Sequence, residues 1–201
     1  LILLSTRPGT NLLSYFKHVL KKKKNKSYID PYSIPCIMKI IEIKTLRGPN
    51  YWSVRRTKLI QMKLDLEEME QKPTNIIAGF RQRLEAMFPS MIEHRCSVGT
   101  RGGFFVRVDE GTWMGHVIEH IALEMQTLAG MDTGFGRTRG TGKEGEYYVC
   151  ISYMEEDAGV YAAKASVAIA QALVDGTGYD LANDIQELRV IREDTRLGPS
   201  T

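Results

Sequence analysis

The stretch that decides the fold is "GTWMGHVIEHIALEMQTLAG", residues 111–130. At about 100° per residue, Met114, Val117, Ile118, Ile121, Met125 and Leu128 gather on one apolar stripe, and His116, Glu119, His120 and Glu124 share the opposite side. Thr112 is placed as an N-cap, and Gly130 sits where a glycine ends a helix. Such a stripe must be covered by other elements. Before it, "KIIEIKTL" (39–46) and "TKLIQMKLDL" (57–66) alternate as half-buried strands do, separated by "RGPNYWS" with its Gly48 and Pro49. "IAGFRQRLEAMF" (77–88) has helical spacing in Phe80, Leu84 and Met87/Phe88, and "GGFFVRV" (102–108) reads as a strand.

Beyond it, "GMDTGFGRTRGTGKEGE" (130–146) is glycine-rich and is expected to be too flexible for regular structure. "YYVCISYM" (147–154) reads as a fourth strand, "EEDAGVYAAKASVAIAQALVDG" (155–176) as an alanine-rich helix, and residues 180–196 as a last amphipathic helix. Through the alanine-rich helix the expected order is β-β-α-β-α-β-α. It implies an α+β fold: a mixed or antiparallel sheet of about four strands, covered by helices on one face.

The chain of 201 residues has a net charge of +3 that is unevenly spread. Residues 1–37 hold seven Lys or Arg, including the run "KKKKNK", against the single acid Asp30, which leaves the remainder net acidic. The first Met is Met38. Residues 1–37 are therefore read as an appended or upstream-translated basic extension, disordered and outside a single domain spanning 38–201. No aromatic residue interrupts the lysines, and no apolar run approaches the ~20 residues a bilayer requires, so neither nucleic acid nor a membrane is expected as a partner. Cys36, Cys96 and Cys150 have no paired spacing, which suits a reducing cytoplasm. Cys96 lies near His94, but without an evident third partner it is not read as a nucleophile.

His116, Glu119 and His120 form H-x-x-E-H, the order found in inverzincin metallohydrolases. Two histidines four apart on a helix are one turn apart and can converge on one ion, with the carboxylate beside them. Average residue usage makes a chance occurrence roughly a one-in-a-hundred event in a chain of this size. In this reading His116 and His120 bind zinc and Glu119 is the general base. A third ligand is needed. Glu124 lies two turns from His116, about 12 Å along the helix, too far to share its ion. The expected supply is Glu155, Glu156 or Asp157 at the start of the alanine-rich helix.

"MKIIEIKTLRGPNYWSVRRTKLIQMKLDLEE", "GTWMGHVIEHIALEMQTLAGMDTGFGRTRGT", "YAAKASVAIAQALVD" and the closing "RLGPST" resemble the N-terminal domain of cyanophycin synthetases, from Met38 to the last residue. The resemblance implies a domain that holds the growing β-Asp-Arg polymer for ATP-grasp and Mur-ligase-like modules, which use ATP and are not among these residues. No G-x-x-x-x-G-K-[ST] motif occurs in the chain. It further implies a peptidase-like site that trims polymer into primers, and among the three acidic candidates it favours Glu156. A homo-oligomer in the cytoplasm is expected. The competing reading is a non-catalytic structural or oligomerisation platform for the ligase modules.

Two further stretches bear on substrate. "GFGRTRGTGK" offers Arg137 and Arg139 as bidentate partners for the polymer's carboxylates, against the alternative of a solubilising hairpin. "RGPNYWSVRR" could stack and pair with guanidinium and carboxylate groups, but is read first as a loop whose Trp52 anchors the core.

Overall fold

The structure, a computed structural model, describes residues 38–53 and 58–197. The basic extension 1–37 lies outside the described residues, as do Arg55 and Arg56. Strands β1 (Lys39–Leu46) and β2 (Leu59–Asp65) are followed by helices α1 (Phe80–Met87), α2 (Gly103–Glu110) and α3 (Met114–Leu128). The hairpin β3 (Gly136–Gly140) and β4 (Glu146–Ser152) comes next, then α4 (Glu156–Asp175) and α5 (Leu181–Leu197). The strands form one antiparallel sheet in the order β1-β2-β4-β3. This is the expected α+β architecture.

Alternation explains how the sheet meets its helices. Ile60, Met62 and Leu64 of β2 and Val149 and Ile151 of β4 are fully buried and join the main core with Phe80, Phe104, Val117, Ile121 and Ile169. On the reverse face Trp52 packs with Leu59 and Cys150 in a small second cluster, so the "RGPNYWS" loop does anchor its Trp in the core. In β1 the alternation of "KIIEIKTL" slips at a bulge between Ile40 and Glu42. The extra residue lets Ile40 and Ile43 both pack on the core and leaves Ile41 exposed.

Three expectations are corrected. "GGFFVRV" is the helix α2, not a strand, and its Phe104, Phe105 and Val108 are buried at i, i+1 and i+4. A short apolar run fits both periodicities, and burial against neighbouring elements chose the helix. The glycine-rich segment does contain regular structure, because β3 pairs with β4 from Gly136 opposite Ile151 to Gly140 opposite Tyr147. Gly142 and Gly145, at φ +92° and +77°, turn the hairpin. The element order is therefore β-β-α-α-α-β-β-α-α.

Helix α3 keeps its apolar stripe in the core, but its polar side is covered too: Glu119, His120 and Glu124 are buried. Its C-terminal carbonyls are met by α5, where Arg192 Nη1 donates to Ala129 O (2.7 Å) and Arg189 Nη2 to Leu128 O (3.2 Å). Gly130 follows at φ +83°, as a terminating glycine should. Gln126, fully buried, donates from Nε2 to Ser152 O (3.2 Å) and ties α3 to the end of β4.

Candidate metal centre

The N-terminal half of α3 lies against the β3–β4 hairpin, and two glycines set the distance. A Cβ on Gly115 would stand 3.1 Å from Thr138 Cγ2, and one on Gly136 would stand 2.5 Å from Glu119 Oε1. The bare backbone of Gly136 therefore forms one wall of the Glu119 carboxyl. Thr138 Oγ1 donates to Glu119 Oε2 at 2.6 Å. Burial pushes the Glu119 carboxyl up to about 7, against the opposing pull of the Thr138 hydrogen bond and of Arg137.

One turn away, His116 Nε2 faces His120 Nε2 at 3.1 Å and Cys96 Sγ at 3.2 Å. Donor atoms of Cys96, His116 and His120 all lie within 4.8 Å of one another, the arrangement a metal ion needs. His116 Nδ1 meets Thr112 Oγ1 at 2.8 Å, so Thr112 uses its hydroxyl on this ring rather than as a helix cap. His120 stacks on Phe104 with centroids 4.0 Å apart and planes at 19°. Burial lowers His116 to about 4, with Arg107 adding to the effect, and holds His120 well below its ordinary value. Both rings are neutral near pH 7, each with a free lone pair.

His94 and Cys96 come from the segment between α1 and α2. Cys96 adopts φ +52°, unusual for a residue with a side chain, and its Sγ reaches the two histidines from that backbone. Behind His120, His94 Nδ1 lies 2.8 Å from His120 Nδ1, and His94 Nε2 lies 2.7 Å from Glu124 Oε2. Sequence reasoning passed over Cys96 and His94. The signal was H-x-C at 94–96, two ligand-type residues with no visible partner until α3 is folded against them.

The cluster opens into a cavity of about 800 Å³, bordered by His116, Glu119 and His120 and by Arg95, Arg107, Arg137 and Arg139. Arg137 and Arg139 are thus brought to the same cavity as the histidines. They lie on β3, the edge strand, opposite Cys150 and Tyr148. Arg139 Nη1 donates to Tyr51 Oη at 2.8 Å, and its guanidinium carbon lies 5.5 Å from the centre of that ring; Arg137 stands 6.0 Å from Phe135.

Glu156 is not brought to the histidines. Its Oε1 accepts from Thr45 Oγ1 (2.9 Å) and its Oε2 from Arg47 Nη2 (3.1 Å), on the β1 side of the sheet. The reason is direction. Strand β4 passes Gly115 at Tyr147 and ends at Ser152 beside Gln126, about 15 Å further along α3 than His116. The turn into α4 therefore delivers its first carboxylate away from the histidine end of α3. In this structure Cys96, not Glu156, stands third beside the pair.

An antiparallel sheet backed by helices, with an H-x-x-E-H helix opening on a basic cavity, defines the class of domain. The family model of the cyanophycin synthase-like N-terminal domain matches residues 61–175, and the chain belongs to that family. Among curated proteins it is 52% identical over 167 residues to the cyanophycin synthetase of Geminocystis herdmanii and, over the same length, 52% identical to that of a Synechocystis strain. It is 53% identical to that of Trichormus variabilis, again over 167 residues. Each match covers 82% of this chain but only 18–19% of the relative, so the chain spans about a fifth of the proteins it resembles. Among the described residues, no helix is long and apolar enough to cross a membrane.

Proposed function

We propose that this domain binds the β-Asp-Arg polymer in the cavity beside α3 and hydrolyses its backbone at a zinc held by His116, His120 and Cys96. The observation that carries the reading is the convergence of the two Nε2 atoms and Sγ, next to a carboxyl whose pKa lies near 7. The donor set fits the metal. Two zinc-bound nitrogens at ~2.05 Å and a tetrahedral angle lie ~3.3 Å apart, close to the 3.1 Å between these rings. Neutral imidazoles and a cysteine thiolate, its proton released on binding, are ligands zinc accepts, and three of them leave one position for water or substrate. When bound, zinc supplies Lewis acidity and lowers the pKa of water towards ~7.

Glu119 takes the proton at Oε1 or Oε2 and returns it to the leaving amine. In the metal-free chain burial pushes this carboxyl up to about 7, and a carboxyl raised towards the operating pH suits both transfers. Thr138 and Gly136 hold the carboxyl in place. Four arginines at the rim suit a polymer with free carboxylates, and a bidentate fork grips such groups best. Synthesis of the polymer with ATP would belong to the remaining four-fifths of proteins like the relatives. The test is release of soluble oligomers from insoluble polymer by the zinc-loaded chain. We expect release by the native chain and none by Glu119→Gln at equal zinc content. Equal release by both would refute the role of Glu119. No release and no zinc uptake would favour a platform without catalysis.

A further inference from the structure

Behind the two histidines runs a hydrogen-bonded chain that the proposed hydrolysis does not use: Glu124, His94, His120. Glu124 is 2% exposed and accepts from Ser90 Oγ through one oxygen and from His94 through the other. Burial alone would raise its pKa, but the bonds from His94 and Ser90 hold it below the ordinary carboxylate range. An ionised carboxylate can only accept, so His94 Nε2 carries a proton.

The consequence passes along the chain. The two Nδ1 atoms of His94 and His120 are 2.8 Å apart, and one of them must donate. As a ligand through Nε2, His120 carries its proton on Nδ1, so it is the donor and His94 Nδ1 accepts. The proton of His120 then sits on Nδ1, and its Nε2 is left bare. That is the atom 3.1 Å from His116 Nε2, on the side of Cys96. The opposite arrangement, with Nδ1 of His120 accepting, would put a proton on Nε2 and block it as a ligand.

His116 differs. Its Nδ1 faces the hydroxyl of Thr112, which can donate or accept, so this ring keeps its bond to Thr112 in either tautomer. In the metal-free chain His116 Nε2–H can donate to His120; with metal, its proton moves to Nδ1 and Thr112 accepts. One ligand is adjustable and the other is fixed.

We propose that Glu124 and His94 are positioning residues that lock His120 in the Nδ1-protonated tautomer and so present its Nε2 lone pair to the metal. This rests on His116 and His120 being ligands. It extends to a second histidine the usual rule that a ligating imidazole donates its other N–H to an orienting partner. Phe104, stacked on His120, fixes the plane of the ring, and the relay fixes the position of its proton.

The test uses the full chain labelled with ¹⁵N-histidine, stripped of metal, in long-range proton–nitrogen spectra near neutral pH. His120 should show a protonated Nδ1 and a bare Nε2. In His94→Leu the acceptor is gone, and the proton of His120 should move to Nε2. Zinc affinity should fall by ~10–100-fold with it. His94→Gln offers an amide oxygen to the same N–H and should keep both the tautomer and the affinity within a few-fold. A native chain with the His120 proton on Nε2 would overturn the proposal whether or not the variants fold. So would a His94→Leu chain with unchanged tautomer and affinity. If the native chain takes up no zinc, the proposed hydrolysis fails, while the nitrogen spectrum still decides the relay.

Discussion

Replacing Glu119 by glutamine should make the metal-free chain more stable, and increasingly so as pH rises. In the folded chain burial pushes this carboxyl up to about 7 from an ordinary value of 4.5. A raised carboxyl favours the folded state fully below about pH 4.5, and that contribution is lost as pH climbs through about 7. The shift corresponds to ~3 kcal/mol at ~1.4 kcal/mol per pH unit. Glutamine fills nearly the same space, its amide oxygen can accept from Thr138, and it never ionises. The stability of Glu119→Gln minus that of the native chain should therefore rise by ~3 kcal/mol between about pH 4.5 and 7.5, then level off. Urea unfolding of both chains in chelator, at several pH values, measures this difference, and contributions from other titrating groups largely cancel in the subtraction. A difference that stays flat with pH would show that Glu119 titrates as an ordinary surface carboxylate, and the base assigned to the site would be lost.

Gly136→Ala should abolish hydrolysis while zinc still binds, because its Cβ would stand 2.5 Å from Glu119 Oε1 and force the carboxyl to move. Loss of zinc by that variant, or full activity, would contradict this geometry. Gly159→Ala should lower stability by ~1–3 kcal/mol despite alanine's better helix propensity, since its Cβ would lie 2.7 Å from Tyr153 Cβ and 3.1 Å from Ile60 Cγ1 where α4 meets the sheet. Thermal unfolding reports it, and a stabilised variant would contradict the packing. Glu156→Gln should leave zinc affinity unchanged in a metal-competition titration, because Thr45 and Arg47 hold its carboxylate on β1. A clear loss of zinc would restore Glu156 as a ligand.

Most of the frame was legible from periodicity. Helix α3 has a 3.6-residue apolar stripe, and the strands around Ile60–Leu64 and Val149–Ile151 alternate as their two unlike faces require. "GGFFVRV" was ambiguous because five apolar-rich residues satisfy either period, and only packing of Phe104 under His120 selects the helix. The hairpin strand β3 was hidden by its glycines, which lower strand propensity yet allow the close approach to Glu119. Within the site, the two histidines and Glu119 could be read because they share one helix. Cys96, His94 and Thr138 could not, since they arrive from other elements and their roles are fixed by tertiary contact. Glu156 was favoured among the acids at the start of α4 by the family resemblance, and the direction in which β4 runs past α3 takes it away from His116.

The central claim is that Cys96, His116 and His120 hold one metal ion, and a cobalt(II) titration of the full, metal-free chain followed by electronic absorption tests it most directly. The account predicts saturation at one cobalt per chain, intense visible bands of a tetrahedral ion, and a near-ultraviolet thiolate charge-transfer band that disappears in Cys96→Ser, with uptake lost in His116→Ala. Weak octahedral bands without the thiolate transition, unchanged by either substitution, would contradict it.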